Sequence, residues 1–507
     1  MAAPSRRRKR ALPCNPFFPF LFLFLLQLLH SSPALSSSSS SSANGGFVLP
    51  LLHKTSLPAP YSRHSSPLDF LAEAKSLDEA RRAAIASSLS RGRNSSPTLS
   101  RFSAPFDAIA ASNARDGFRT GVRSGASEGA GQYFVQLAIG TPPQQFLLIA
   151  DTGSDLVWVR CSNCRRKCRA GTGDPSSPTF LIRASSSYRA IPCLSQSCLL
   201  VPAPPSFSCN LRIPSTCRYD YSYTDTSEST GIFSTETISL NSSSSSDANL
   251  KEFGQVPDFA FGCGLRNTGE SFVGSDGVLG MGRGPISFVS QVGSVVGNKF
   301  AYCLVDFFGT PTLNSFLVLG DIPAPTKLLT PLQSTPLVEN PFGQSFYYVN
   351  VQEVRVNGQV LPIPSDVWEL DATGNGGTVV DSGTTLTTFV EPAYQEILNA
   401  VVDKFPFPQV DPVQSFDLCF NATGVNDLSG LPSLSIVLEG NAVFSPPASN
   451  IFIDIPGGLK CLALQGVEGP FGFTVLGNLI QQNFHMRFDL DGSMLSFAPT
   501  RCSQAIR

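Results

Sequence analysis

The sequence predicts a mostly β chain folded as two related lobes. Three observations carry that prediction. Of 507 residues, 42 are Gly, 40 Pro and 38 Phe against four Met, a balance that favours strands joined by turns over a helical bundle. One pattern occurs twice, and each copy climbs through apolar residues into an Asp-hydroxyl-Gly-hydroxyl tetrapeptide. Apolar residues make up 42 % of the chain, enough for a large core, so disorder throughout is excluded. The net charge of -2 removes a global basic field, and with it the expectation of a nucleic-acid partner.

In chain order, the first element is a targeting segment, residues 1–34. Residues 6–10 are all basic, Phe17 to Leu29 is apolar apart from Gln27, and small residues follow (Ser32, Pro33, Ala34). That is the layout of a secretory signal, and the run is shorter than the ~20 residues a membrane span needs. A retained signal anchor and a plastid-type transit peptide, which the serine run 36–42 also fits, are the alternatives. No later stretch resembles a span or a lipid-anchor tail.

Residues 35–126 read as a pro-segment. Between 44 and 126 there are eleven Lys/Arg and six Asp/Glu, whereas residues 127–507 carry 20 basic against 32 acidic residues. A basic segment ahead of an acidic body can cover a negative cleft and uncover it on release. Leu68, Leu71, Ala74 and Leu77 space a helix over 68–89, between Ser-, Pro- and Arg-rich flanks. Arg115, Arg119 and Arg123 are candidate processing positions.

The first lobe is placed at 127–325. A strand from Gln132 to Ile139 turns at Gly140-Thr-Pro-Pro, and Phe146 to Ala150 leads into Asp151-Thr-Gly-Ser. An apolar-apolar-Gly element, Val278-Leu-Gly, follows. Seven of the twelve cysteines that remain after the signal lie between Cys161 and Cys217, which marks residues 161–217 as a stapled insert. An even count in a secreted chain argues for disulfides. Seven is odd, so one member must pair outside, and Cys263 is the nearest candidate. Cys161-x-x-Cys164 with Cys168 has metal-ligand spacing, but no His lies near and the compartment is oxidising, so no metal is expected. Asn94, Asn241 and Asn421 head N-glycosylation triplets.

The proline-spaced stretch from Asp321 to Phe342 reads as the connection to the second lobe, 326–507. There the pattern returns: a ribbon from Phe346, an Asn357-Gly358 turn, then Thr378-Val-Val into Asp381-Ser-Gly-Thr, and later Val475-Leu-Gly. The interval from Asp to the apolar-apolar-Gly element is 127 positions in the first copy and 94 in the second, and the excess falls where the insert lies.

Such a tetrapeptide alone is an ordinary turn. Two of them at equivalent points of a repeat are a pair of carboxylates on Gly-supported loops, able to share one proton and act as acid and base on a water held between them. Aspartic proteases work through a dyad of this kind. Rival sites are poorly supplied. Of four histidines only His485 lies outside the segments expected to be removed, and no Gly-x-Ser-x-Gly elbow accompanies it. Gly280-Met-Gly-Arg-Gly lacks the Lys-Ser/Thr of a phosphate loop.

On these motifs residues 130–502 resemble the pepsin-like aspartic proteases, most closely the plant nepenthesin-type branch with its Cys-rich insert. The resemblance implies a bilobal pepsin-like fold, with pseudo-twofold-related β lobes and the active-site cleft between them. It implies Asp151 and Asp381 as the catalytic pair, with Thr152, Gly153, Ser154, Ser382, Gly383 and Thr384 supporting it. Tyr223 matches the residue near the tip of the substrate-covering flap, and Trp158 the indole that reaches its hydroxyl. Thr224 and Thr226 stand where the plant pattern expects glycine. Cys419 with Cys461, and Cys303 with Cys502, match disulfide positions. The activity implied is that of a monomeric, cofactor-free endopeptidase with an acid optimum. It would be made as a zymogen held by its own pro-segment, then act on proteins or peptides in the vacuole or outside the cell. The same plant fold includes inhibitor and storage-type proteins that have lost catalysis; both aspartates are retained here.

Overall fold

The computed structural model describes residues 75–76, 78–79, 82, 118–124 (backbone), 133–162, 178–202, 215–223, 227–240, 255–269, 272, 274–306, 315–320, 327–413, 416–424, 430–467 and 472–504. All lie in one compact unit, Gly46–Arg507. The two-lobed, mostly β architecture is that expected. Among the described residues the largest sheet has fifteen strands, and three smaller sheets of five, four and four strands belong to the second half.

The repeat appears as the same strand arrangement twice. Gln144–Asp151, which delivers Asp151, pairs in parallel with Gly277–Gly280, and Gly280 lies opposite Asp151. Thr378–Val380, which delivers Asp381, pairs in parallel with Thr474–Leu476. In both copies the strand after the Asp loop returns antiparallel to the apolar-apolar-Gly strand: Val278 faces Trp158, and Val475 faces Thr388. Strands buried on both faces need continuous apolar runs, which is why Phe146–Ala150 and Thr378–Val380 scarcely alternate.

The halves share one sheet. Lys299–Cys303 of the first pairs with Phe484–Asp489 of the second, which contains the buried His485. Cys303 is bonded to Cys502 at a Cα separation of 5.4 Å. Closing a loop across 199 positions of chain is worth about 5 kcal/mol in the chain-entropy account. Cys419 and Cys461 face each other across paired strands and are bonded. Cys161 bonds Cys263, so the odd cysteine of the insert does leave the cluster, and Cys198 bonds Cys217 within it.

Two segments do more than the sequence reading asks of them. The proline-spaced connection also supplies an edge strand, Gln333–Pro336, against Met494–Pro499. Proline is tolerated at the end of an edge strand, where no ladder donor is needed. Residues Phe118–Ser124, within the stretch read as pro-segment, form a strand between Ser315–Leu319 and Tyr133–Ile139. The Asn357-Gly358 turn has φ of +49° and +77°, the left-handed pair that a two-residue hairpin requires.

Candidate active site

Asp151 and Asp381 are 2 % and 1 % exposed, and each ends an apolar strand. A buried carboxylate needs donors, and each receives the same two from its own loop. Gly153 N–H donates to one Asp151 oxygen at 3.0 Å and Ser154 Oγ to the other at 2.5 Å. Gly383 N–H donates to Asp381 Oδ1 at 2.9 Å and Thr384 Oγ1 to Oδ2 at 2.6 Å.

The loops are then pinned to each other. Ser382 N–H donates to Thr152 Oγ1 at 2.8 Å, and Thr152 N–H donates to Ser382 Oγ at 3.3 Å. Ser382 Oγ donates onward to the Ala150 carbonyl at 3.1 Å, and Thr152 Oγ1 reaches Asp381 Oδ1 at 3.4 Å. The hydroxyl next in sequence to one aspartate thus touches the carboxylate of the other, across 229 positions of chain.

Tyr223 follows the strand Arg218–Ser222, and its N–H donates to the Ser227 carbonyl at 2.7 Å, closing the hairpin. Trp158 Nε1–H donates to the Tyr223 hydroxyl at 2.7 Å. Phe272 meets both rings edge-on, at 4.8 Å from Trp158 and 5.3 Å from Tyr223. Burial holds the Tyr223 phenol well above its ordinary pKa, with Tyr221 and the Asp151 charge adding to that, so it stays an O–H donor. Thr224, Thr226, Asn94 and Asn241 lie outside the described residues; Asn421 is exposed at the end of a strand.

Sequence reasoning missed three supports. The first is Asp155, four residues after Asp151. Its carboxylate accepts from Gly284 N–H at 2.8 Å and from the Ser345 hydroxyl, joining the first loop to the start of the second half. Burial raises its pKa against those two hydrogen bonds, and the Asp151 charge raises it further. A Cβ on Gly282 or Gly284 would overlap this carboxylate, and one on Gly280 would overlap the Asp155 backbone, which explains the three glycines of Gly280-Met-Gly-Arg-Gly. The second and third follow Val475-Leu-Gly. Asn478 Nδ2 donates to the Ser382 carbonyl at 3.0 Å, and Gln481 Nε2 to the Leu476 and Asp381 carbonyls at 2.7 and 3.4 Å. An acid between the Gly-Ser of the loop and the apolar Leu156-Val-Trp run was the one available signal for Asp155. Asn478 and Gln481 carry none.

Among the described residues no group of three or more His, Cys, Asp or Glu is arranged to hold a metal. The chemistry on hand is a pair of loops holding two buried carboxylates, and a phenol that feels the Asp151 charge and is held by Trp158 and Phe272.

Residues 133–321 match the family described as Xylanase inhibitor N-terminal, and residues 346–499 its counterpart, Xylanase inhibitor C-terminal. Aspartyl protease family protein 2 of Arabidopsis thaliana is 36 % identical over 76 % of this chain and 74 % of its own length. Aspartic proteinase nepenthesin-2 of Nepenthes gracilis is 35 % identical over 76 % of this chain and 81 % of its own. Among solved structures, that of edgp superposes with a TM-score of 0.61 at 22 % identity, covering 77 % of this chain and 97 % of edgp, a likeness of fold.

Proposed function

The chain belongs to the pepsin-like aspartic proteases, in their plant nepenthesin-type branch, and is an aspartic-type peptidase; from that premise we propose that it is an endopeptidase working through a water held between Asp151 and Asp381. One carboxylate takes a proton from the water as its oxygen attacks the scissile carbonyl. The other enters protonated and donates to the developing oxyanion. On collapse the C–N bond breaks, and a proton passes to the leaving nitrogen. The Tyr223 hydroxyl, accepting from Trp158, keeps a hydrogen to offer the bound substrate.

The observation that carries this reading is the mirrored support of the two carboxylates, with each loop held by the other's hydroxyl residue. A pair that needs one proton loses activity as rising pH removes it, so the optimum is acid. The aromatic group Trp158, Tyr223 and Phe272 favours bulky apolar side chains near the cut. The enzyme works as a monomer without a cofactor, after export to the vacuole or the cell exterior and release of an amino-terminal pro-segment. Among the described residues no helix is long and apolar enough to cross a membrane.

The test compares the native chain with Asp151→Ala on an unfolded protein in acid, at about pH 3–5. A loss of about 10²–10⁴-fold or more supports the reading; equal rates overturn it. Mass spectrometry of the mature amino terminus tests processing separately. A cut at Arg115 keeps the strand Phe118–Ser124 with the body, and one at Arg123 removes most of it.

A further inference from the structure

Residues 75, 76, 78, 79 and 82 are helical. Ser76 and Glu79 face solvent, while Asp78 and Arg82, one turn apart on the same side, are 3 % and 8 % exposed. Lys75 pairs with Glu79 along the outside at 3.9 Å. A helix that buries an acid and a base is unusual, and the acid has a specific destination. The Asp78 carboxylate accepts from Thr385 N–H at 3.0 and 3.2 Å and from Leu386 N–H at 2.7 Å, across 307 and 308 positions of chain. Thr385 and Leu386 come directly after Thr384, whose hydroxyl holds Asp381.

The first loop shows what such amides do when they are served from within. The position equivalent to Thr385 is Asp155, and its N–H donates to the Tyr221 hydroxyl of the same lobe at 3.4 Å. In the second copy, a residue of the amino-terminal segment supplies the acceptor.

We infer that the Thr385 and Leu386 amides form a carboxylate-binding site whose occupant is Asp78, and that this contact anchors the amino-terminal segment over the loop of Asp381. The inference rests on the zymogen reading above for its consequence, not for its geometry. A polar anchor suits release. The carboxylate and both amides find water as a replacement partner, so the contact holds mainly because the tether keeps the local concentration of Asp78 high. Cutting the chain between residue 82 and the body ends that advantage, whereas an apolar anchor would stay bound.

The experiment uses the full chain with Asp151→Ala, which cannot process itself, so that docking is read without activity. Amide hydrogen exchange is followed in the peptides covering 385–386 and 155, with and without Asp78→Ala. Exchange at 385–386 is expected to rise about tenfold or more, with 155 unchanged; no change at 385–386 overturns the inference. Asp78→Asn, which keeps an acceptor and loses the charge, is expected to fall between, and a rise at both peptides would mean general loosening and also overturn it. In the chain with Asp151 intact, Asp78→Ala is expected to raise the activity of the unprocessed form about tenfold. An inactive mature enzyme would sink the peptidase reading while leaving the exchange result standing.

Discussion

The two aspartate loops have the same internal plan and different surroundings. Each carboxylate takes one glycine amide and one hydroxyl, and each loop is bonded to the other through Thr152 and Ser382. Beyond that core they diverge. The first loop is locked from behind by a third acid, Asp155, seated on glycines 282 and 284. The second is braced by amides, Asn478 and Gln481, and capped from outside by Asp78. The lesson is that pseudo-symmetry governs the atoms proposed to do chemistry, while the scaffold around them is free to use whatever satisfies the remaining hydrogen-bonding groups.

Breaking either half of the proposed dyad is the severest test of that equivalence. Asp151→Asn and Asp381→Asn are each expected to lower kcat by about 10²–10⁴-fold or more with KM little changed. Losses differing by several orders of magnitude in a peptidase assay would mean that the loops are not interchangeable.

Gly284→Ala attacks the first loop alone. Its Cβ would overlap the Asp155 carboxylate, so a stability loss of about 1–3 kcal/mol by denaturant titration is expected. In an Asp155→Ala background, which lacks the overlapped carboxylate, the cost of Gly284→Ala should shrink only if the overlap is its cause.

Thr152→Val removes the acceptor of Ser382 N–H in a site where Thr152 is 0 % exposed. An unsatisfied buried amide costs about 1–3 kcal/mol. Ser382→Ala, which leaves Thr152 N–H in the same position, should cost a similar amount. A marked inequality would sharpen the comparison by showing which side carries the pin.

The smallest effect is a pH slope. The folded-state pKa of Asp155 is raised by burial, so the native state holds its proton over a window where the unfolded chain has lost it. Its contribution is therefore most favourable below the ordinary carboxylate range and is lost as pH rises through the raised value. Asp155→Asn should flatten that slope in thermal melts, because the amide keeps an acceptor for Gly284 and the Ser345 hydroxyl can turn to accept. An unchanged slope would assign the dependence to other groups.

Much of this site was legible in one dimension because its parts are local. An aspartate, its glycine and its hydroxyl sit within four residues, so two copies announce two loops, and the apolar-apolar-Gly element announces the parallel partner strand. Trp158 was legible only through the family resemblance, which places a Trp seven residues after the first aspartate. Asp78, Asp155, Asn478 and Gln481 were not, for one shared physical reason. Each acts on a backbone group or hydroxyl five to 308 positions away, and it is tertiary docking that chooses the partner. The edge strand Gln333–Pro336 was hidden likewise, since prolines mark a turn or linker until a neighbouring strand arrives.

One last property follows from Phe484–Asp489 lying beside Lys299–Cys303, with Cys502 bonded to Cys303. A ribosome delivers the amino-terminal half long before its final neighbour exists. Until residue 484 emerges, that half presents a raw strand margin and an unmated thiol, the kind of intermediate that invites chaperones and clumping. A nonsense codon that deletes only the closing hairpin would therefore leave Lys299–Cys303 without that neighbour, and the last stretch to be translated guards the half made before it.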